Sequence, residues 1–141
     1  MNKYIFDVDG TLTPSRQTIN DDFAVFFSDF CAERDCYLVT GSDREKTIEQ
    51  VGEEIYSLCK RVYNCSGSDA YEGSKNVYSD PWTLPKDTRQ WLEQTLDDSQ
   101  FGLRTGLHIE ERSGMVNFSV VGRNATMGER QLYVRWDKEQ L

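Results

Sequence analysis

Apolar and polar positions along the chain follow two periods. Lys3-Tyr-Ile-Phe-Asp-Val8 opens with an aromatic and β-branched run, the composition of a strand buried in a parallel sheet, so Asp7 and Asp9 fall at its carboxyl end, just before Gly10. From Asn20 the period lengthens. Phe23, Phe26, Phe27 and Phe30 recur at helical spacing and predict one apolar stripe turned to the core, with Asn20 as N-cap and Asp21 and Asp22 in the first turn. Arg34 and Asp35 end that helix, and Cys36-Tyr-Leu-Val39 predicts a second strand that delivers Thr40-Gly41-Ser42 to the same sheet edge as Asp7. Strand, helix and strand make a βαβ unit.

Ser42-Asp-Arg-Glu45 has capping-box spacing and predicts a helix to Gly52 or beyond, with Ile48 and Val51 inward and Ile55, Tyr56 and Leu58 extending the pattern. Val62-Tyr-Asn64 predicts a third strand, and residues 70–78 a hairpin around Gly73. Between Ser79 and Pro85 the composition shifts to Pro, Asp and Trp, a hinge into a second module; Pro85 suits the first turn of a helix carrying Trp91, Leu92 and Leu96. Two strands follow, Leu107 to Glu111 and Met115 to Val121, joined across Arg112-Ser-Gly114. Val116, Phe118 and Val120 should share one face, and Asn117, Ser119 and Val121 the other. Thr126-Met-Gly-Glu129 is a second capping box that projects Arg130 from the first turn of a short helix, and residues 137–141 read as the opening turn of another helix.

Composition narrows the function. A chain of 141 residues fits one ordinary domain or two very small ones. Its net charge of −8 should repel nucleic acid and anionic membranes, so neither is expected as a partner. No apolar run reaches the length of a membrane helix, and a strand begins within three residues of the N-terminus, leaving no room for a signal peptide; the expectation is a cytoplasmic protein. The four cysteines, Cys31, Cys36, Cys59 and Cys65, show no Cys-x-x-Cys spacing, and His108 is the only histidine. Reduced structural thiols are therefore expected, and the Asn-x-Ser/Thr sequons at Asn64, Asn117 and Asn124 are chance matches. With one histidine, Ser-His and Cys-His nucleophile schemes are nearly excluded, which pushes any chemistry towards carboxylates and metal.

Two carboxylates one residue apart at a strand end repel unless a cation lies between them. Asp7 and Asp9 therefore suggest a hard, oxygen-seeking Mg²⁺, with Asp7 free to attack a phosphorus and Asp9 to handle the proton of the leaving or attacking hydroxyl. Thr40 or Ser42, beside the amides of a helix start, suits a phosphate oxygen. Taken singly, these signals are weak. A lone Asp-x-Asp-Gly-Thr also occurs in ordinary turns, and single arginines at element ends are mostly solvated.

Three ordered blocks of sequence outweigh those plain readings. Asp7-Val-Asp-Gly-Thr-Leu-Thr13 resembles the first motif of the haloacid-dehalogenase-like (HAD-like) phosphotransferases. Asp7 through Ile19, with Pro14-Ser-Arg16-Gln-Thr-Ile19, and Gly41-Ser-Asp-Arg-Glu-Lys46 resemble the eukaryotic-type phosphomannomutases. So does Gly106 to Arg130, with Ile109-Glu-Glu-Arg-Ser-Gly-Met115, Val121-Gly-Arg123 and Glu129-Arg130 in order and spacing. The resemblance implies an α/β protein: the N-terminal part of a Rossmann-like HAD core with a parallel sheet at 1–80, and part of an inserted α+β cap at 81–141, truncated within the cap. It implies interconversion of mannose 6-phosphate and mannose 1-phosphate for GDP-mannose supply, through an aspartyl-phosphate on Asp7, with Asp9 as acid/base and both aspartates on Mg²⁺. A hexose bisphosphate activator is implied, as are Arg16, Arg112, Arg123 and Arg130 as substrate-phosphate arginines and a homodimer of the full-length protein. Such arginines hold phosphate bidentately. A HAD-type sugar phosphatase and an inactive phosphosugar-binding fragment are the competing readings. The match is poorest at residues 70–78, and the lysine and later acidic motif of the family are missing, since Lys60, Lys75 and Lys86 stand outside the expected context.

Overall fold

The computed structural model describes residues 2–140 and divides the chain into two compact units, Met1–Trp82 and Thr83–Leu141. The first unit is built on one five-stranded sheet, in the order β1 (Lys3–Asp7), β2 (Asp35–Val39), β3 (Arg61–Asn64), β4 (Asp69–Glu72) and β5 (Lys75–Ser79). β1, β2 and β3 run parallel, which requires crossovers: α1 (Asp21–Ala32) makes the first, and α2 (Arg44–Val51) with α3 (Glu53–Leu58) the second. β4 and β5 are antiparallel additions, so the sheet is mixed rather than wholly parallel. Their hairpin turns at Gly73, which sits at φ +58°, as its place between two strand patterns predicts.

One face of the sheet carries the core. Cys36, Leu38 and Val62 are fully buried there against Phe27, Ile55 and Tyr56 of the helices, and Phe6 meets Phe27 edge to face at 5.0 Å. The other face is open. Ile5, on that face of β1, is 68 % exposed, which corrects the expectation of a strand buried on both sides. The phenylalanine stripe is corrected by the same geometry. Phe27 is buried and Phe30 packs on Tyr4, but Phe26 is 62 % exposed and Phe23 also reaches solvent. β1 is the last strand on its side of the sheet, so the outer part of the stripe reaches past it into solvent.

Both ends of the second helix differ from the sequence reading. The N-cap of α2 is Asp43, whose side chain accepts from the Lys46 N–H at 2.8 Å, and not Ser42. The helix also stops at Gly52, where φ +85° breaks α2 from α3. Its inward face carries Thr47, Gln50 and Val51, all essentially inaccessible, with Ile48 only partly buried. All four cysteines are buried free thiols. A hydrogen bond to Cys59, and burial, hold the Cys31 thiol well above its ordinary pKa, and burial pushes Cys36 up to about 12.

The second unit comprises α4 (Lys86–Asp98), the hairpin β6 (Ile109–Arg112) and β7 (Met115–Phe118), and α5 (Met127–Glu139). Pro85 stands at the N-cap of α4, which buries Leu92 and leaves Trp91 in solvent, so Trp91 is not the core residue its helical spacing suggests. The strands are shorter than the alternation predicts and all of β7 is half-buried, without a clean two-faced pattern. α5 starts in the predicted capping box but is not short. It runs on through Glu139, so residues 137–140 close this helix rather than open another, and Leu141 lies outside the described residues. Phe101, Tyr133 and Trp136 form a small aromatic cluster along it.

Candidate active site

The Asp7–Thr13 stretch folds into a closed turn around one carbonyl. The Val8 oxygen accepts from the amides of Thr11, Leu12 and Thr13 at 3.0–3.2 Å, and more distantly from the Thr13 hydroxyl. Gly10 adopts φ +79°, a conformation that a side chain resists, and its N–H returns to the Thr13 oxygen at 2.8 Å. Val8 and Leu12 anchor the turn in the core. Polar ends are what remain outside: Asp7 is exposed at the tip of β1, with one carboxylate oxygen accepting from the Thr11 hydroxyl at 3.1 Å, and Asp9 is half-buried.

Asp9 is held from two directions. Its Oδ1 accepts from the Arg16 N–H at 2.5 Å and from Gln50 Nε2 at 2.7 Å. Arg16 reaches it from a left-handed backbone, φ +60°. Such a conformation is unusual for a non-glycine residue and costs about 1–3 kcal/mol, offset here by the contact it permits. Gln50 is the residue that sequence reasoning missed. Its signal was a polar side chain on the inward stripe of α2 next to Val51, one turn after Thr47.

At the end of β2, Thr40 and Ser42 are both buried. Thr40 Oγ1 accepts from the Ser42 N–H at 3.1 Å, whereas the Ser42 hydroxyl donates to Gln50 Oε1 at 3.4 Å. The Lys46 amide, in the first turn of α2, is taken by Asp43. Arg44 lies over the rings of Tyr56 and Tyr71 at 5.4 and 5.0 Å, with its Nε buried and without a hydrogen-bond partner. Asp7, Asp9, Arg16, Thr40 and Ser42 all belong to the first unit, and Gln50 links the β2 end to Asp9.

The other three arginines belong to the second unit. Arg112 at the end of β6 and Arg123 both reach Oε2 of Glu110, at 3.1 and 2.9 Å. Arg130, in the first turn of α5, donates to the carbonyls of Ala125 and Arg123 at 3.1 and 3.3 Å. Glu110 is a second residue not singled out from sequence, and it supplies one negative charge to the guanidinium groups of Arg112 and Arg123. Among the described residues there is no group of three or more His, Cys, Asp or Glu that could hold a metal ion.

Comparison with known proteins places this geometry. A crystal structure of a Eubacterium rectale protein superimposes with a TM-score of 0.50 at 12 % identity, covering 68 % of this chain and 36 % of its own. A haloacid dehalogenase-like hydrolase from Bacteroides thetaiotaomicron gives 0.49 at 16 % identity, covering 67 % and 38 %. A family model described as eukaryotic phosphomannomutase matches residues 24–141. The Saccharomyces cerevisiae phosphomannomutase is 31 % identical over 96 % of this chain and 56 % of its own length, and that of Dendrobium officinale 33 % over 95 % and 56 %. Mouse phosphomannomutase 1 is 32 % identical over 96 % of this chain and 55 % of its own. The chain is an α/β protein with an Asp-x-Asp turn at the end of its first parallel strand. Within that class, the chain belongs to the eukaryotic phosphomannomutase family and spans about 56 % of the length of these relatives.

Proposed function

We propose that the chain carries the phosphoryl-transfer and phosphate-binding residues of a phosphomannomutase, acting on mannose 1-phosphate and mannose 6-phosphate. The observation that carries this reading is the closed Asp7–Thr13 turn, which fixes two carboxylates at the carboxyl end of the first parallel strand, where α/β sheets bind ligands. Asp7 is the nucleophile: its carboxylate oxygen bonds to a phosphorus of the hexose bisphosphate as the bond from that phosphorus to the sugar oxygen breaks. Asp9 gives that leaving oxygen its proton. In the return step the free hydroxyl of a sugar monophosphate passes its proton to Asp9 and attacks the phosphorus on Asp7, which releases the aspartate and regenerates a bisphosphate.

Hard oxygens suit Mg²⁺, which is ordinarily held by one or two carboxylates with waters and substrate phosphate, so Asp7 through its carboxylate and Asp9 through its backbone carbonyl fit it. When bound, the ion offsets the negative charge of the phosphoryl group. Thr40 accepts from the Ser42 amide and so keeps its hydroxyl proton for a phosphate oxygen, whereas Ser42 directs its own to Gln50. This favours Thr40 as the phosphate donor of the pair. Arg16, Arg112, Arg123 and Arg130 hold substrate phosphate, and a hexose bisphosphate primes Asp7.

The test is phosphoryl uptake from a hexose bisphosphate with Mg²⁺, read by mass spectrometry in a chain completed with the remaining residues of the yeast relative. The parent should carry one phosphoryl group on Asp7, and Asp7→Asn should fold and carry none. Labelling of another residue, or unchanged labelling of Asp7→Asn, would sink the assignment.

A further inference from the structure

Gln50 is fully buried at the last turn of α2, and every polar atom of its side chain is engaged. Oε1 accepts from the Ser42 hydroxyl at 3.4 Å, while Nε2 donates to Asp9 Oδ1 at 2.7 Å and to Thr13 Oγ1 at 3.3 Å. Its carbonyl oxygen accepts from the Ile19 N–H at 2.7 Å, which pins the loop that follows the Asp-x-Asp turn to the same helix end. The Asp9 carboxylate, which only accepts, fixes which end of the amide faces it, and the Ser42 hydroxyl, able to donate or accept, donates to the other end. A flip would set two oxygens, Oε1 and Oδ1, against each other in a buried site, where an unsatisfied polar group costs about 1–3 kcal/mol.

We infer that Gln50 is the positioning residue of the acid/base aspartate: by occupying Asp9 Oδ1 jointly with the Arg16 amide, it leaves Oδ2 as the oxygen that exchanges the proton with substrate. The inference rests on the reading of Asp9 given above. Oδ1 accepts two N–H donors at 2.5 and 2.7 Å, and neither donor can accept a proton in return, so a proton on Oδ1 would meet only hydrogens. Oδ2 has no protein donor among the described residues. A carboxylate held by one oxygen cannot make the two-fold rotation that an exposed aspartate makes freely, and so the same atom is presented at both proton transfers. Misplacing a reacting group by about 1 Å costs on the order of 10²-fold in rate, which is the reason a buried amide is worth keeping here. Ser42 takes part through Gln50: its hydroxyl satisfies the amide oxygen, and the chain Ser42, Gln50, Asp9 joins the β2 end to the β1 end.

Nuclear magnetic resonance on the 141-residue chain tests this without turnover. The two Gln50 Nε2 protons should be resolved and exchange with water at least about tenfold more slowly than those of exposed glutamines, and Asp9→Ala should abolish that protection. Asp9→Asn should keep it, with the introduced NH₂ group at the Oδ2 place, in fast exchange and without contact to the Arg16 amide. Gln50→Met, close in shape and apolar, should move the Asp9 carboxylate carbon signal and leave that of Asp7. Unprotected Gln50 protons, protection that survives Asp9→Ala, or an introduced amide group turned towards Arg16 would each overturn the inference. If Gln50→Met does not fold, the two Asp9 variants still decide it. Phosphoryl uptake by Asp7 bears on the reading above and these signals on Gln50, so either can fail without the other.

Discussion

Gly122 sits at φ +93° with its α-carbon so close to Thr105 that an added Cβ would meet the Thr105 carbonyl oxygen at 1.7 Å. The chain needs this approach because Thr105 N–H and Oγ1 both bond the Val121 oxygen, at 2.9 and 2.7 Å, and so lay the 105 strand of backbone beside the residue that precedes Arg123. Gly122→Ala combines a disfavoured backbone with a backbone clash. A loss of at least about 2 kcal/mol is expected, read as a lower denaturation midpoint for the second unit. At this scale the arginines make a separate prediction. Charge-assisted contacts to phosphate contribute about 1.5–3 kcal/mol each, so Arg123→Ala should weaken sugar-phosphate binding by roughly tenfold to hundredfold in calorimetry and leave Mg²⁺ binding alone. Equal weakening of both would mark Arg123 as structural, through its pairing with Glu110. The turn that carries Asp7 and Asp9 was legible in sequence because an apolar run ends there in two acids and a glycine. Gln50 and Glu110 were not, since an isolated glutamine or glutamate carries no pattern until its partners are known.

The elements show where local chemistry suffices. Asn20 caps α1 and Thr126 caps α5 as their sequences predict, because a short side chain three residues before a free N–H satisfies it without help from the fold. In α5 the box is reciprocal: Glu129 Nα–H donates to Thr126 Oγ1, and the Thr126 N–H donates to the Glu129 carboxylate. That backbone hydrogen bond, with the hydroxyl contact, holds the Glu129 carboxyl below its ordinary 4.5. A group depressed on folding stabilises the fold above its unfolded value, and the contribution disappears as pH falls through the folded one. Comparing the parent with Glu129→Gln, the parent should be the more stable at neutral pH and lose that advantage on acidification below about 4.5, as followed by far-ultraviolet circular dichroism. Thr126→Ala should cost about 1 kcal/mol in the same assay. A pH-independent difference between the parent and Glu129→Gln would show that the box is not formed.

For the molecule as a whole the telling quantity is apolar surface left open. In the first unit Ile5, Val25 and Phe26 are 68, 66 and 62 % exposed, β1 has a free edge, and a groove lined by Phe6, Leu12, Phe23, Phe26, Phe27 and Phe30 lies along α1. In the second unit Met127, Leu132 and Val134 project from α5 at 65, 52 and 50 %. Contiguous patches of this kind mark association sites, and an unpaired strand edge templates pairing. The isolated chain is expected to self-associate in sedimentation velocity and to bind a hydrophobic dye. Ile5→Lys, which places a charge on the open edge, should lower the association. A monodisperse monomer with a cooperative unfolding transition of about 5–15 kcal/mol would refute this.

Sequence by itself determined the family, the Asp-x-Asp turn and most of the order of elements, the break between α2 and α3 and the length of α5 excepted. These depend on neighbours within a few residues: Gly10 for the turn, Asn20 and Thr126 for the caps, Gly73 for the hairpin. Tertiary structure alone decided which apolar positions are buried. Phe26 and Phe27 are adjacent in one stripe, yet only Phe27 lies over β1, because burial depends on where the sheet ends and not on helical period. The partners of the site carboxylate were decided the same way. Gln50 stands far from Asp9 along the chain and reaches it only when α2 packs behind the first two strands, a juxtaposition that no local pattern encodes.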